Sequence, residues 1–435
     1  MFSIKQNAVW KNWSESVVAK PKRIVRPKTL GQLIALVKEC RENNCTLRVV
    51  GAGHSFTPLA ATDEVLVSLD HLNGIDAIDH ENRLVTFWAG TRLKDVSRLL
   101  DERGYALENL GDINEQSIAG AISTGTHGTG IRFQSIPNQV EKLTLLTAHG
   151  ELLEIGREQN DAYFEAARVS LGMLGIIVKV TLKVVPQYVL FAKNYRLSLE
   201  EGFQQLNALK EANRNVEFFW FPYTDVIQVK TLNEADEKAA SFSNRFMSKV
   251  VMENGLFYLL SEMSRNAPKT AKLVSQISAW GVPVGESYNK SHLQYATPRL
   301  VKFNEMEYAV PEEHMEAVIR ELDDMLQKQN IAVHFPVECR YVKGDSIWLS
   351  PSYERDSAYI GIHMYKGMEL HHYFDAAEEI FLHYNGRPHW GKMHSLTYDQ
   401  LKQLYPKMDA FLAIRSELDP FGLFLNGYLR SIFHI

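Results

Sequence analysis

Cysteine is scarce: 435 residues contain only Cys40, Cys45 and Cys339, with no CxxC pair. An odd, sparse set excludes a disulfide framework and a thiolate zinc site, and fits a reducing compartment. Long apolar runs are missing too. No stretch of about 18 apolar residues occurs, so no transmembrane helix is expected. The nearest approach, residues 246–263, is interrupted by Lys249, Glu253, Asn254 and Glu262. It reads as an amphipathic helix, packed on the core or lying against a membrane or partner. The first 20 residues hold Trp10 and Trp13 but no signal-peptide core. A cytoplasmic location is therefore expected. Excess positive charge is absent as well. The net charge of −5 gives nucleic-acid binding little electrostatic support.

What remains is an ordinary globular balance, 45% apolar and 23% charged, long enough for two domains with sizeable cores. The first part alternates helix and strand signals. Leu30, Leu33, Ile34 and Val37 repeat at helical spacing before Asn43 and Asn44. Residues 46–50, 65–69 and 84–88 read as strands, 93–103 as a helix, and 140–146 with 152–155 as a hairpin. An apolar strand over 175–185 ends at Pro186, and the domain boundary is placed there. The second part shows strands at 218–221, 332–342, 347–350 and 359–365, and a clear helix over 312–329. Residues 233–290 are the least readable. The class is α+β in two domains.

Two glycine-rich loops stand beside strands, the first directly after one. The first runs Val49, Val50, Gly51, Ala52, Gly53, His54, Ser55. It lacks the third glycine of a Rossmann fingerprint, and Thr57-Pro58 forbids an immediate long helix. The second spans 117–130 and is dominated by small residues and hydroxyls, among them Ser117, Gly120, Thr124, Gly125, Thr126 and His127. Such walls let backbone and short donors approach phosphate and ribose oxygens. Either alone is an ordinary turn as readily as a binding loop; together they favour a dinucleotide site.

Further on, Glu338 and Arg340 share one face of a strand, as do His363 and Tyr365. On an exposed strand the first pair would be a surface salt bridge of little worth, and the second a core aromatic position. His371 and His372 have no third ligand at sensible spacing, so no metal is expected.

The first loop, the 117–130 block and His389-Trp390-Gly391-Lys392, in that order, resemble the aldonolactone oxidase and alditol oxidase group of vanillyl-alcohol-oxidase-type flavoproteins. The resemblance runs from about Pro27 to Arg430. It implies an FAD-binding domain of two α/β subdomains over 1–186. A substrate domain with a large antiparallel sheet flanked by helices follows over 187–435, and its tail, from about 415, returns to the flavin domain. It implies a covalent bond from His54 to the flavin. Val49 to Ser55, Gly111, Asp112, Ser117, Gly120, Thr124 to His127, Ile177 and His389 would lie around the cofactor. Glu338, Arg340, Lys392 and His363 would be catalytic. Asp112, Glu338, Arg340, Tyr365 and Lys392 would meet the substrate.

The reaction implied is hydride transfer from a carbinol carbon to flavin N5, with dioxygen reduced to hydrogen peroxide. Glycine at position 111 and the histidine at 54 resemble the oxidases rather than a plant dehydrogenase of the group. Alditol oxidases carry serine and threonine where this chain has Asp112 and Tyr365. A sugar 1,4-lactone of the gulono or arabinono type, giving an ascorbate-like product, is therefore the first expectation. An alditol or free sugar, a non-oxygen acceptor, and a non-catalytic flavin binder are the alternatives.

Overall fold

In a computed structural model, which describes residues 3–6, 8–159, 161–236, 244–296 and 301–435, and side chains outside 3–6 and 244–254, the first apolar stripe forms the buried face of helix Leu30–Glu42. Thr29 caps it by accepting from the Gln32 amide, and Leu33, Leu36, Val37 and Cys40 face inward. The neighbouring sheet orders its strands Ser3–Gln6, Arg23–Arg26, Val65–Ser68 and Leu47–Val50, with parallel pairing among the last three. A second sheet is antiparallel: Leu152–Gly156, Val140–Leu146, Ile176–Lys183, Leu84–Trp88 and Ile75–Asp79. The first glycine loop leaves strand Leu47–Val50, whereas the second stretch opens as helix Ile118–Ser123, capped by Ser117, which accepts from the Gly120 amide.

The third sheet has eight antiparallel strands. Their order is Gly285–Lys290, Val189–Leu197, Ile227–Ala235, Asn215–Trp220, Val337–Val342, Ser357–Tyr365, Phe303–Pro311 and Arg387–Pro388. Helices Met315–Gln329 and His371–His383 pack together on it. Two expected strands change. Residues 347–350 form a turn, because Asp345 accepts from the Ile347 amide and the Ser350 amide returns to the Ile347 carbonyl. The strand expected over 332–342 begins only at Val337, after Pro336, which has no amide to give a ladder. Residues 246–263 lie in helix Asn244–Asn266. Its described outer face, with that of helix Ala271–Gly281, exposes Leu256, Leu259, Leu273 and Trp280. No helix among the described residues is long and apolar enough to cross a membrane.

The chain's last segment locks onto the first sheet. The Leu47 amide donates to the Leu423 carbonyl at 2.9 Å, and Asn426 Nδ2 donates to the carbonyls of Pro58 and Ala61. Buried Arg48 is the knot. Its guanidinium donates to the carbonyls of Leu59, Leu171, Gly172 and Phe424. Burial pushes it down to about 10, so it stays charged at neutral pH. Arg48→Met should lower unfolding free energy by at least ~3 kcal/mol, because several buried carbonyls lose their donor at once. Urea unfolding of both proteins measures this.

Candidate active site

The first glycine loop faces Ser117, Gly120, Thr124 and Ile177 across an open cleft of about 1090 Å³. Approach is close here: a side chain at Gly51 would meet Ser117 Oγ at 2.3 Å. Gly53 holds φ +71°, which a glycine adopts without strain. Val49, Val50, Ala52, His54 and Ser55 also line the cleft. Its small-residue walls and its hydroxyls fit an FAD.

A second cavity of about 650 Å³ adjoins it, and His54, Ser55, Gln116 and Thr124 line both. Gly111, Asp112, Thr126, His127, Arg340, His389 and Lys392 converge on this second space, with Trp13, Phe56 and Phe303. Gly125 lines neither; its φ of +79° serves the turn of the loop. His54 stands at the junction. Its ring stacks on Trp13 at 5.5 Å, and burial with nearby Lys392 pushes its imidazole down to about 4.

Strand alternation places Glu217, Arg340, Glu338, Glu305, Glu307 and His363 on one face of the large sheet. The Glu338–Arg340 pair is buried, not a surface salt bridge. Arg340 pairs with Glu338, with Glu217 at 3.0 Å and with Asp112 at 3.3 Å. Burial opposes its charge, but these carboxylates hold its pKa well above the usual value. His389 and Lys392 reach the site together because the Lys392 amide donates back to the His389 carbonyl at 2.9 Å, closing a turn. Gly391 gives the turn room: an added side chain would stand 3.2 Å from the His389 ring, which would have to shift by a few tenths of an ångström.

Lys392 forms an ion pair with Glu305. His363 presents Nε2 to Glu305 at 3.5 Å and Nδ1 to the Pro336 carbonyl at 3.2 Å. His127 repeats the arrangement, with Nε2 at 3.3 Å from Glu307 and Nδ1 donating to the Gly128 carbonyl at 2.8 Å. Burial pushes His389 down to about 3, so its ring is neutral. With Lys230, which pairs with Glu217 at 2.8 Å, the described residues joined by these contacts set five carboxylates (Asp112, Glu217, Glu305, Glu307, Glu338) against three fixed cations (Lys230, Arg340, Lys392). Two trios, His127/Glu307/His389 and Glu305/Glu338/His363, have metal-ligand spacing. Their carboxylates already meet Lys392, Arg340 and His127.

Tyr365 is the outlier. It packs with Phe335 at 6.3 Å, and its hydroxyl donates to Glu262 on helix Asn244–Asn266. It does not line the second cavity, and neither do Glu338 and His363, which stand one contact behind the wall, against Arg340 and against Lys392's partner Glu305. Glu217, Glu305, Glu307, Trp13 and Gln116 were not singled out from sequence. The legible signal was for the glutamates alone: carboxylates alternating inside otherwise apolar strands.

The fold and this site define an FAD-dependent oxidoreductase of the vanillyl-alcohol-oxidase type, acting on CH–OH groups. Cholesterol oxidase from B. sterolicum has the same fold, with TM-score 0.83, 18% identity, and coverage of 99% of this chain and 97% of that one. The chain belongs to the D-arabinono-1,4-lactone oxidase family, whose profile matches residues 180–432, and an FAD binding domain profile matches 21–156. It is 37% identical to the L-gulono-1,4-lactone dehydrogenase of Mycobacterium tuberculosis over 98% of this chain and 99% of the relative. It is 33% identical to the L-gulonolactone oxidase of Mus musculus, covering 98% of each. It is 31% identical to the D-arabinono-1,4-lactone oxidase of Eremothecium gossypii over 78% of this chain and 66% of the relative.

Proposed function

We propose that residues 1–186 and 187–435 form a flavin domain and a substrate domain, and that the protein oxidises a gulono- or arabinono-type 1,4-lactone at a carbinol carbon. The observation that carries this is the cavity beside His54 with Arg340 and Lys392 in its wall. The two glycine loops would hold an FAD, with His54 placed to tether it, and the group would supply a hydride acceptor whose electrons go on to dioxygen. Arg340 and Lys392 stabilise negative charge developing on the substrate oxygen. Glu338 and His363 converge with Glu305 within 4.8 Å, and one of the two, Glu338 or His363, accepts or relays the single hydroxyl proton. Asp112, paired with Arg340 at the cavity wall, offers the substrate a carboxylate where a straight-chain alditol enzyme offers a serine. Steady-state rates with a gulonolactone, an arabinonolactone, xylitol and sorbitol test this; preference for either polyol overturns the lactone assignment.

The mycobacterial relative is named a dehydrogenase, which favours a second reading of the acceptor alone. Reduced wild-type enzyme should reoxidise in air within seconds and release peroxide. Reoxidation over minutes would assign a different acceptor. Gly111→Ala is a poor probe of this step, because its methyl would lie 2.8 Å from the His127 carbonyl oxygen. We expect that variant to lose about 1–3 kcal/mol of stability through overpacking and to slow both half-reactions, measured by thermal melts and stopped flow.

A further inference from the structure

We propose that Glu305 is a positioning residue of the substrate cavity, gathering the Lys392 ammonium and the His363 imidazole onto one buried carboxylate. The inference rests on the active-site reading above. Its two oxygens have different partners: Oε2 takes Lys392, and Oε1 faces His363. The backbone fixes the approach. The Met393 amide donates to the Glu305 carbonyl and the His389 amide to the Glu307 carbonyl, both at 2.9 Å, so the turn carrying Lys392 is pinned along this strand. Below the carboxylate lies Gly361, where an added methyl would stand 3.5 Å from Glu305 Oε1, 3.7 Å from His363 Cε1 and 3.8 Å from Glu338 Cβ. Three functional side chains therefore meet above one glycine.

The electrostatics agree with the geometry. Burial alone would raise the Glu305 carboxyl, but Lys392 and then His363 bring it down to about 2. Burial alone would lower the Lys392 ammonium, but Glu305, then Glu307, hold it above its usual value. Every neighbour of Lys392 matters to this balance. Glu305 and Glu307 face it from strand Phe303–Pro311, Glu338 from Val337–Val342, His389 from its own turn, and His54 from the glycine loop. The Phe56 ring lies 5.3 Å from its ammonium. Taking away Glu305 removes this direct ion pair and leaves the desolvation. Lys392 must then lose its proton at lower pH, and a neutral amine cannot stabilise an oxyanion.

The test uses the FAD-loaded enzyme. Anaerobic flavin reduction is followed by stopped flow at saturating lactone from pH 6 to 10, in wild type, Glu305→Gln, Glu305→Asp and Lys392→Met. Wild type should vary less than threefold between pH 7 and 9, whereas Glu305→Gln should fall tenfold or more. Glu305→Asp keeps the charge at a greater distance and should fall in the same direction by less; it serves alone if the Gln variant does not fold. A second readout is the NMR titration of ¹³C-dimethylated Lys392, whose midpoint should drop by at least one pH unit in Glu305→Gln. Profiles and titrations that superimpose on wild type, however unstable the variants, overturn the proposal. Lys392→Met within threefold of wild type overturns the active-site reading itself, and this inference with it.

Discussion

Arg340→Ala should slow anaerobic flavin reduction by roughly a hundredfold or more, a barrier increase of about 3 kcal/mol. The size follows from where the charge sits. A surface arginine paired with a glutamate two residues away would contribute at most ~1 kcal/mol to stability and nothing to rate. Arg340 is buried, lines the second cavity and meets three carboxylates. Charge develops on the substrate oxygen only as hydride leaves, so a cation fixed beforehand acts on the transition state. The same burial adds a second effect. Without Arg340, Asp112, Glu217 and Glu338 face one another with less compensation, and breaking such a set costs about 3–5 kcal/mol of stability. Arg340→Lys separates the two effects. It keeps a cation among the carboxylates but loses the planar fork, so its melting temperature should stay near wild type while reduction slows. Glu338→Gln should weaken lactone binding and slow reduction with less damage to folding. Stopped-flow bleaching at saturating lactone, beside a thermal melt, gives each number. If Arg340→Ala bleaches within threefold of wild type, its role is structural.

The sequence was most legible where one short segment carries its own instructions. The stripe at Leu33, Leu36, Val37 and Cys40 names a buried helix face, and Thr29 supplies its cap. The Val140–Leu146 and Leu152–Gly156 hairpin is bounded by His149-Gly150. Legibility fell where partners come from distant chain. Residues 347–350 are apolar enough for a strand, but the carboxylate of Asp345 bends them into a turn. Glu305 and Glu307 carry no local motif; their meaning comes from Lys392, His363 and His127 on other elements. Tyr365 shares a strand face with His363, as alternation requires, yet Glu262 draws its hydroxyl toward a helix in the segment hardest to read. Alternation gives the face of a residue, while its partners are set by what packs above that face.

A tether at His54, as proposed, leads to an all-or-none result: wild-type protein should keep its flavin through acid precipitation, and His54→Ala should release all of it. The loop is held in place by the chain around it. Trp13 donates its amide to the Gly53 carbonyl at 2.7 Å, and Asn12 Nδ2 donates to the Ser55 carbonyl at 3.0 Å, one on each side of His54. The Phe56 amide donates to the Gly391 carbonyl at 2.7 Å, fixing the loop to the turn that carries Lys392. Such an attachment would exchange a flavin methyl C–H and an imidazole N–H for a C–N bond, with two electrons and two protons going to dioxygen as peroxide. Only the neutral ring has a lone pair to offer. His54 is pushed down to about 4 by burial and Lys392, so it is neutral at every pH above about 5. Flavin-free protein incubated in air with FAD should therefore couple at nearly the same rate at pH 6 and pH 8. An ordinary imidazole, with pKa ~6.5, would gain roughly fourfold over that interval. Mass spectrometry of the His54 peptide measures the coupled fraction at each pH. His54→Ala should still bind FAD in the cleft, since the other loop residues remain, but more weakly. Free FAD in the acid supernatant of fully loaded wild type, or a flavin-bearing peptide from His54→Ala, would place the attachment elsewhere or nowhere.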